Sequence, residues 1–130
     1  MPGAFARSLR RRGARIRLLF QHDPKEPVGL WESLVEDGHG LLARGRLVPG
    51  VPRAEALRLL IASRALDGLS IGFRTIRASR VPGKGQRLLH EIDLFEISIV
   101  TFPMMEEARI ASPLSAGAAI AAATRTISKP

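Results

Sequence analysis

The segment Leu88-Leu-His-Glu-Ile-Asp-Leu-Phe-Glu-Ile-Ser-Ile-Val-Thr-Phe102 constrains the fold more than any other part of the chain. Its β-branched and aromatic residues suit a pleated, half-buried surface, and it runs unbroken to Pro103, which cannot donate to a ladder. It predicts a long strand. Shortly before it, Leu69, Ile71 and Phe73 alternate with Ser70, Gly72 and Arg74, and Thr75-Ile76 continues the pattern. Period-two alternation marks a strand. Val81-Pro-Gly-Lys-Gly85 lies between the two and reads as a hairpin loop.

The rest of the chain adds more strands and a helical fringe. Residues 3–12 read as a short amphipathic helix ended by Gly13. From Arg15 the alternation of Ile16, Leu18 and Phe20 predicts a strand that stops at His22, with Asp23-Pro24 turning the chain. A second strand is expected over Pro27–Glu36 and a third over Leu41–Val48, joined at the turn signal Asp37-Gly-His-Gly40. The clearest helix starts at Pro52, whose missing N–H costs little in a first turn. Ala54, Leu57, Ile61 and Ala65 share one of its faces, and Gly68 suits its C-terminal cap. Pro113 to Ile127 is rich in Ala, Gly, Ser and Thr, and reads as a weak helix or a flexible extension. The expected class is mainly β with flanking helices.

Composition excludes more than it selects. At 130 residues the chain fits one domain. It contains no cysteine, which removes disulfides, thiolate metal sites and thiol catalysis. The net charge of +8 permits attraction to nucleic acid or to acidic protein surfaces. The arginines are scattered, however, apart from Arg10 to Arg12, and with no Tyr and one Trp a base-stacking platform is poorly supported. No apolar run reaches the roughly 18 residues of a membrane-spanning helix. The N-terminus places its charges after a short apolar stretch, the reverse of a secretory signal. A soluble intracellular chain is expected.

Three polar residues stand in unusual places. His22 ends an apolar strand beside a turn, whereas His39 sits in a Gly-flanked turn and His90 at the start of the long strand. Ser70 lies within Leu69-Ser-Ile-Gly-Phe73, and Gly72 shares its face, leaving room for a substrate beside the hydroxyl. Glu96 is embedded between apolar neighbours, where an ionised carboxylate costs several kcal/mol unless paired. Asp93, expected on the opposite face, is the rival carboxylate. A serine needs a base to act as a nucleophile near neutral pH, and that base needs a group to hold its tautomer. Each residue also has a plain structural reading: a rim histidine, a half-buried strand serine beside a bulge glycine, a carboxylate paired with arginine or on a solvated stripe with Ser98. Spacing alone does not bring the three together.

The sequence resembles the prohead maturation proteases of tailed phages and gene transfer particles, which are related in fold to the herpesvirus assembly protease. The stretches that carry the resemblance are Pro2–Leu9, Leu18-Leu-Phe-Gln-His-Asp-Pro24 with Pro27-Val-Gly29, Glu36–Leu41 with Gly45, Ala65-Leu-Asp-Gly-Leu-Ser-Ile-Gly-Phe73, and Leu94-Phe-Glu-Ile-Ser-Ile-Val-Thr-Phe-Pro103. The resemblance implies a seven-stranded, barrel-like β core with flanking helices, a protease domain over residues 1–110 and an Ala-rich tail over 111–130. It implies Ser70 as nucleophile, His22 as general base and Glu96 as the acid, with Asp93 as fallback, and no metal or organic cofactor. The implied substrate is the scaffold segment of the major capsid protein, and the enzyme itself, inside the assembling prohead in the bacterial cytoplasm. Self-association is also implied. Members of this family usually carry a further segment before the Gly-Ala-Phe block, so either the true start lies upstream or the barrel is incomplete at its N-terminal side, with an open edge. Two other readings stay open: a catalytically inert shell-interior protein of the same fold, and a basic nucleic-acid-binding β domain.

Overall fold

The computed structural model describes residues 5–37, 40–81, 86–114, 119–124 and 128–129. Among these, the elements follow as α1 (Ala6–Arg11), β1 (Arg17–Phe20), β2 (Asp23–Asp37), β3 (Gly40–Leu47), α2 (Pro52–Ala62), β4 (Gly68–Val81), β5 (Gln86–Val100), β6 (Arg109–Leu114), β7 (Ala119–Thr124) and β8 (Ser128–Lys129). A 3-10 turn over Gly13–Arg15 joins α1 to β1. The protein is mainly β, as the alternating segments predict. Its strands form one curled sheet in the order β1-β2-β3-β7-β6-β4-β5-β8. β1 pairs with β5 as well as β2, so the pairings return to their starting strand. β1 is therefore paired on both sides.

β4 and β5 form the longest ladder of the sheet. Its register sets Leu69 opposite Ile99, Ser70 opposite Ser98, Ile71 opposite Ile97 and Gly72 opposite Glu96. One step further the register shifts, so that Phe73 faces Leu94 and Phe95 is the extra residue of a bulge. The bulge reverses the alternation of β5. Ile97 and Ile99 enter the core on one side of it, Leu94 and Ile92 on the other, each almost wholly buried. Burial of each such side chain contributes ~1.5–3 kcal/mol, so this hairpin holds its register firmly. A one-residue slip would turn those side chains away from the core.

β1 lies parallel to β5, with Leu19 beside Ser98 and Phe20 beside Ile99. Beyond the end of β1, α1 takes over the same flank of β5. The buried Ser8 hydroxyl donates to the Ile92 carbonyl at 3.0 Å and accepts the Leu94 amide at 2.7 Å. One side chain thus replaces two ladder bonds that a strand would have supplied. Trp31 on β2 crosses the core and donates its indole N–H to the Ile97 carbonyl.

Four local expectations are corrected. Asp23-Pro24 does not end the sheet: β1 turns at Gln21-His22, and Asp23 already pairs with Phe20. Pro24 to Glu26 bulge outward before Pro27 meets Leu19, so the ladder does not need a proline N–H at residue 24. Helix α2 buries Ala54, Leu57 and Ile61, but it stops at Ala62, and Ala65 is exposed beyond it. Its left-handed end residue is Arg64, with φ of 65°, and Gly68 instead begins β4. The Ala-rich segment holds a strand, β7, which pairs with β3 and β6, where a weak helix or a loose extension was expected. Alanine favours helix when nothing else decides, but two flanking strands offer every β7 residue a ladder. The loop tip with His39 and residues 82–85 lie outside the described residues.

Candidate active site

β1 and β2 are joined by the two residues Gln21 and His22, with φ of 55° and 60°. Two positive φ values in a two-residue hairpin loop are the pattern of a type I′ turn, whose twist matches the flanking strands. Neither residue is glycine, and this conformation is costly for a side chain with a Cβ. Tertiary bonds hold it. The Gln21 amide donates to the Ile99 carbonyl at 2.9 Å. The Gln21 side chain donates to Thr101 Oγ1 at 2.7 Å and accepts the Thr101 amide at 3.2 Å. The His22 amide donates to Ser98 Oγ at 3.1 Å. The turn is therefore folded back against the end of β5.

That fold-back sets the imidazole on a carboxylate. His22 Nδ1 bonds Glu96 Oε1, and Ser98 Oγ donates to Glu96 Oε2. An ionised carboxylate only accepts, so Nδ1 carries a proton and a neutral ring keeps its lone pair on Nε2. Glu96 is buried, with 6% of its side chain exposed, whereas the imidazole is 38% exposed and sits at the rim. The pairing that an embedded glutamate demands is thus supplied by His22 and by Ser98.

Ser70 enters from the neighbouring strand. It lies directly opposite Ser98, so both share a face, with Cβ atoms of such pairs about 4.5–5.5 Å apart. Glu96 is two residues from Ser98 on β5, and its cross-strand partner Gly72 is two residues from Ser70 on β4. Ser70, Gly72, Ser98 and Glu96 therefore occupy one patch, opposite to the core face of Leu69, Ile71, Ile97 and Ile99. The space that Gly72 opens is not left for a substrate, as alternation suggested. The Glu96 side chain lies in it.

Asp93 is also on this face, contrary to expectation, because the bulge at Phe95 reverses the strand parity and sets Asp93 opposite Arg74. It does not meet His22. Arg12 Nε and Nη2 donate to its two oxygens at 3.1 Å each, and Arg74 Nη2 adds a bond at 3.1 Å. These two guanidinium groups, Arg12 first, lower its pKa to about 2. Asp93 is fully committed to holding Arg12, the residue that caps α1, and β4 on β5, and Glu96 is the carboxylate at the histidine. In the sequence Ser98 stands out only as a neighbour of Glu96, and nothing there marks Gln21 as part of the site. The i, i+2 spacing of Glu96 and Ser98 was the available signal for the first.

The residue types gathered in this patch are those of a serine hydrolase of the Ser-His-acid kind. Residues 1–122 match the caudovirus prohead serine protease family, and the chain belongs to that family. It is 37% identical over 114 residues to the prohead protease of Enterobacteria phage HK97, a match covering 86% of this chain and 51% of that protein. The chain thus spans about half the length of this curated relative. No solved structure matches the chain. Among the described residues, no helix is long and apolar enough to cross a membrane.

Proposed function

We propose that the chain is the catalytic core of a serine endopeptidase that cleaves the scaffold segment of the major capsid protein, and itself, inside the assembling prohead. The observation that carries this reading is the bond from His22 Nδ1 to the buried Glu96, on the face where Ser70 stands one strand away. In this reading His22 Nε2 takes the Ser70 hydroxyl proton as Oγ attacks a peptide carbonyl. Glu96 holds the ring and stabilises the imidazolium that forms. The imidazolium then protonates the leaving amine, and an acyl ester remains on Ser70. Water, deprotonated by the same nitrogen, hydrolyses the ester and restores the hydroxyl. The family's name supports the reaction type, and the name of the phage HK97 relative supports the setting of an assembling capsid. The likeness of this β core to the herpesvirus assembly protease and the self-association of the chain belong to the same reading.

The test is co-expression with the major capsid protein. The parent chain is expected to shorten both the capsid protein and itself, and Ser70→Ala to leave both at full length. Normal processing by Ser70→Ala contradicts the assignment.

A further inference from the structure

We propose that Ser98 is a positioning residue of this site, the group that locks the His22 turn to the Glu96 carboxylate; the proposal rests on the reading of Ser70, His22 and Glu96 given above. A hydroxyl has one hydrogen to give and two lone pairs to accept with. Ser98 gives its hydrogen to Glu96 Oε2 and accepts the His22 amide. Its side chain has no exposure to solvent, at 0%, so no water stands ready to replace either bond.

Each bond answers a need. The His22 amide sits at the second position of a hairpin loop, where the ladder offers it no partner. Glu96 has one oxygen on the imidazole, and the other, deep in the same patch, needs a donor of its own. One hydroxyl meets both needs, and so fixes the histidine backbone and the carboxylate to the same point on β5. That point lies directly opposite Ser70. The rotation of the imidazole relative to the nucleophile is thereby set through Ser98, whose own bonds go to the Glu96 carboxylate and the His22 amide.

The experiment uses the full chain and an alkyl fluorophosphonate, a probe whose phosphorus bonds a serine Oγ as fluoride leaves and the base takes the proton. Adducts are located by mass spectrometry and rates followed against pH. Ser98→Ala is expected to slow labelling of Ser70 about 10- to 100-fold, with a displaced pH midpoint, at temperatures well below its melting point. Ser98→Thr, which keeps the hydroxyl, is expected to restore the rate. If the larger side chain does not fit, the His22 Nδ1–H resonance in Ser70→Ala and in Ser70→Ala/Ser98→Ala decides: its loss in the second supports the proposal, its persistence in both overturns it. Labelling of Ser98→Ala at the parental rate and pH midpoint also overturns it. If Ser70 is labelled in the parent and His22→Ala abolishes the reaction, such a result removes only the role of Ser98. A parent labelled elsewhere removes the reading of the site itself.

Discussion

Gly72 and Glu96 face each other across the β4–β5 ladder, and a Cβ on Gly72 would stand 2.2 Å from Glu96 Oε1 and 2.6 Å from Cδ. The carboxylate that holds His22 is thus laid flat over a bare backbone. Gly72→Ala is expected to push Glu96 off the imidazole while leaving the core face of Leu69 and Ile71 intact. Steric overpacking of this kind costs about 1–3 kcal/mol. The check is paired: a lowered melting temperature, and fluorophosphonate labelling of Ser70 that is lost well below that temperature.

Glu96→Gln tests the tautomer argument. Two donors, His22 Nδ1–H and Ser98 Oγ–H, converge on two carboxylate oxygens. A Gln side chain offers one oxygen and one amide, so one donor must lose its acceptor. Where the equivalent change has the imidazole turned to the wrong tautomer, turnover falls about 10⁴-fold. A loss of that order, with the melting temperature changed by only a few degrees, is expected here, measured as self-cleavage or as capsid processing.

Gln21→Ala keeps a Cβ in the left-handed region and removes the two bonds to Thr101. Both bonds are exposed, so the expected stability loss is about 1 kcal/mol or less, or a few degrees in melting temperature. The larger effect is expected on the labelling rate of Ser70, because the turn that carries His22 loses its outer clamp.

The Asp93 cluster predicts an acid limb. Its carboxyl is lowered from 3.8 to about 2 in the folded chain, chiefly by the bond from Arg12. A depressed carboxylate contributes stability that is fully present above the unfolded pKa, near 4, and is lost as pH falls through about 2. Unfolding midpoints are expected to drop across that window, and Asp93→Asn is expected to flatten the drop. Arg12 is 27% exposed and Arg74 75% exposed. Solvent screens the second pair more, so Arg12→Ala is expected to destabilise more than Arg74→Ala.

The alternation at Leu69–Phe73 and the β-prone run before Pro103 made the β4–β5 hairpin legible, because both segments must bury one face. The apolar spacing of Ala54, Leu57 and Ile61 did the same for α2. The residue types of the site were legible too, since a strand-embedded Glu96 demands a partner. What the chain did not disclose was geometry made by irregularity. Parity counted along β5 puts Asp93 on the wrong face, because the bulge at Phe95 is a tertiary choice between two strands. Asp23-Pro24 looks like a strand breaker until a bulge on β2 absorbs the proline. The turn at Gln21-His22 carries none of the Asn-Gly signature of its type. It exists because Ile99, Ser98 and Thr101 hold it.

Catalysis in this reading depends on the separation between Ser70 Oγ on β4 and His22 Nε2 on the β1–β2 turn, and a crystal structure of the fluorophosphonate-treated chain measures it. The expected result is a bond from phosphorus to Ser70 Oγ, with His22 Nε2 within hydrogen-bond reach of the adduct, about 2.6–3.2 Å, and Nδ1 still on Glu96. A modified residue other than Ser70, or an imidazole turned away from it and unable to swing back, would contradict the account.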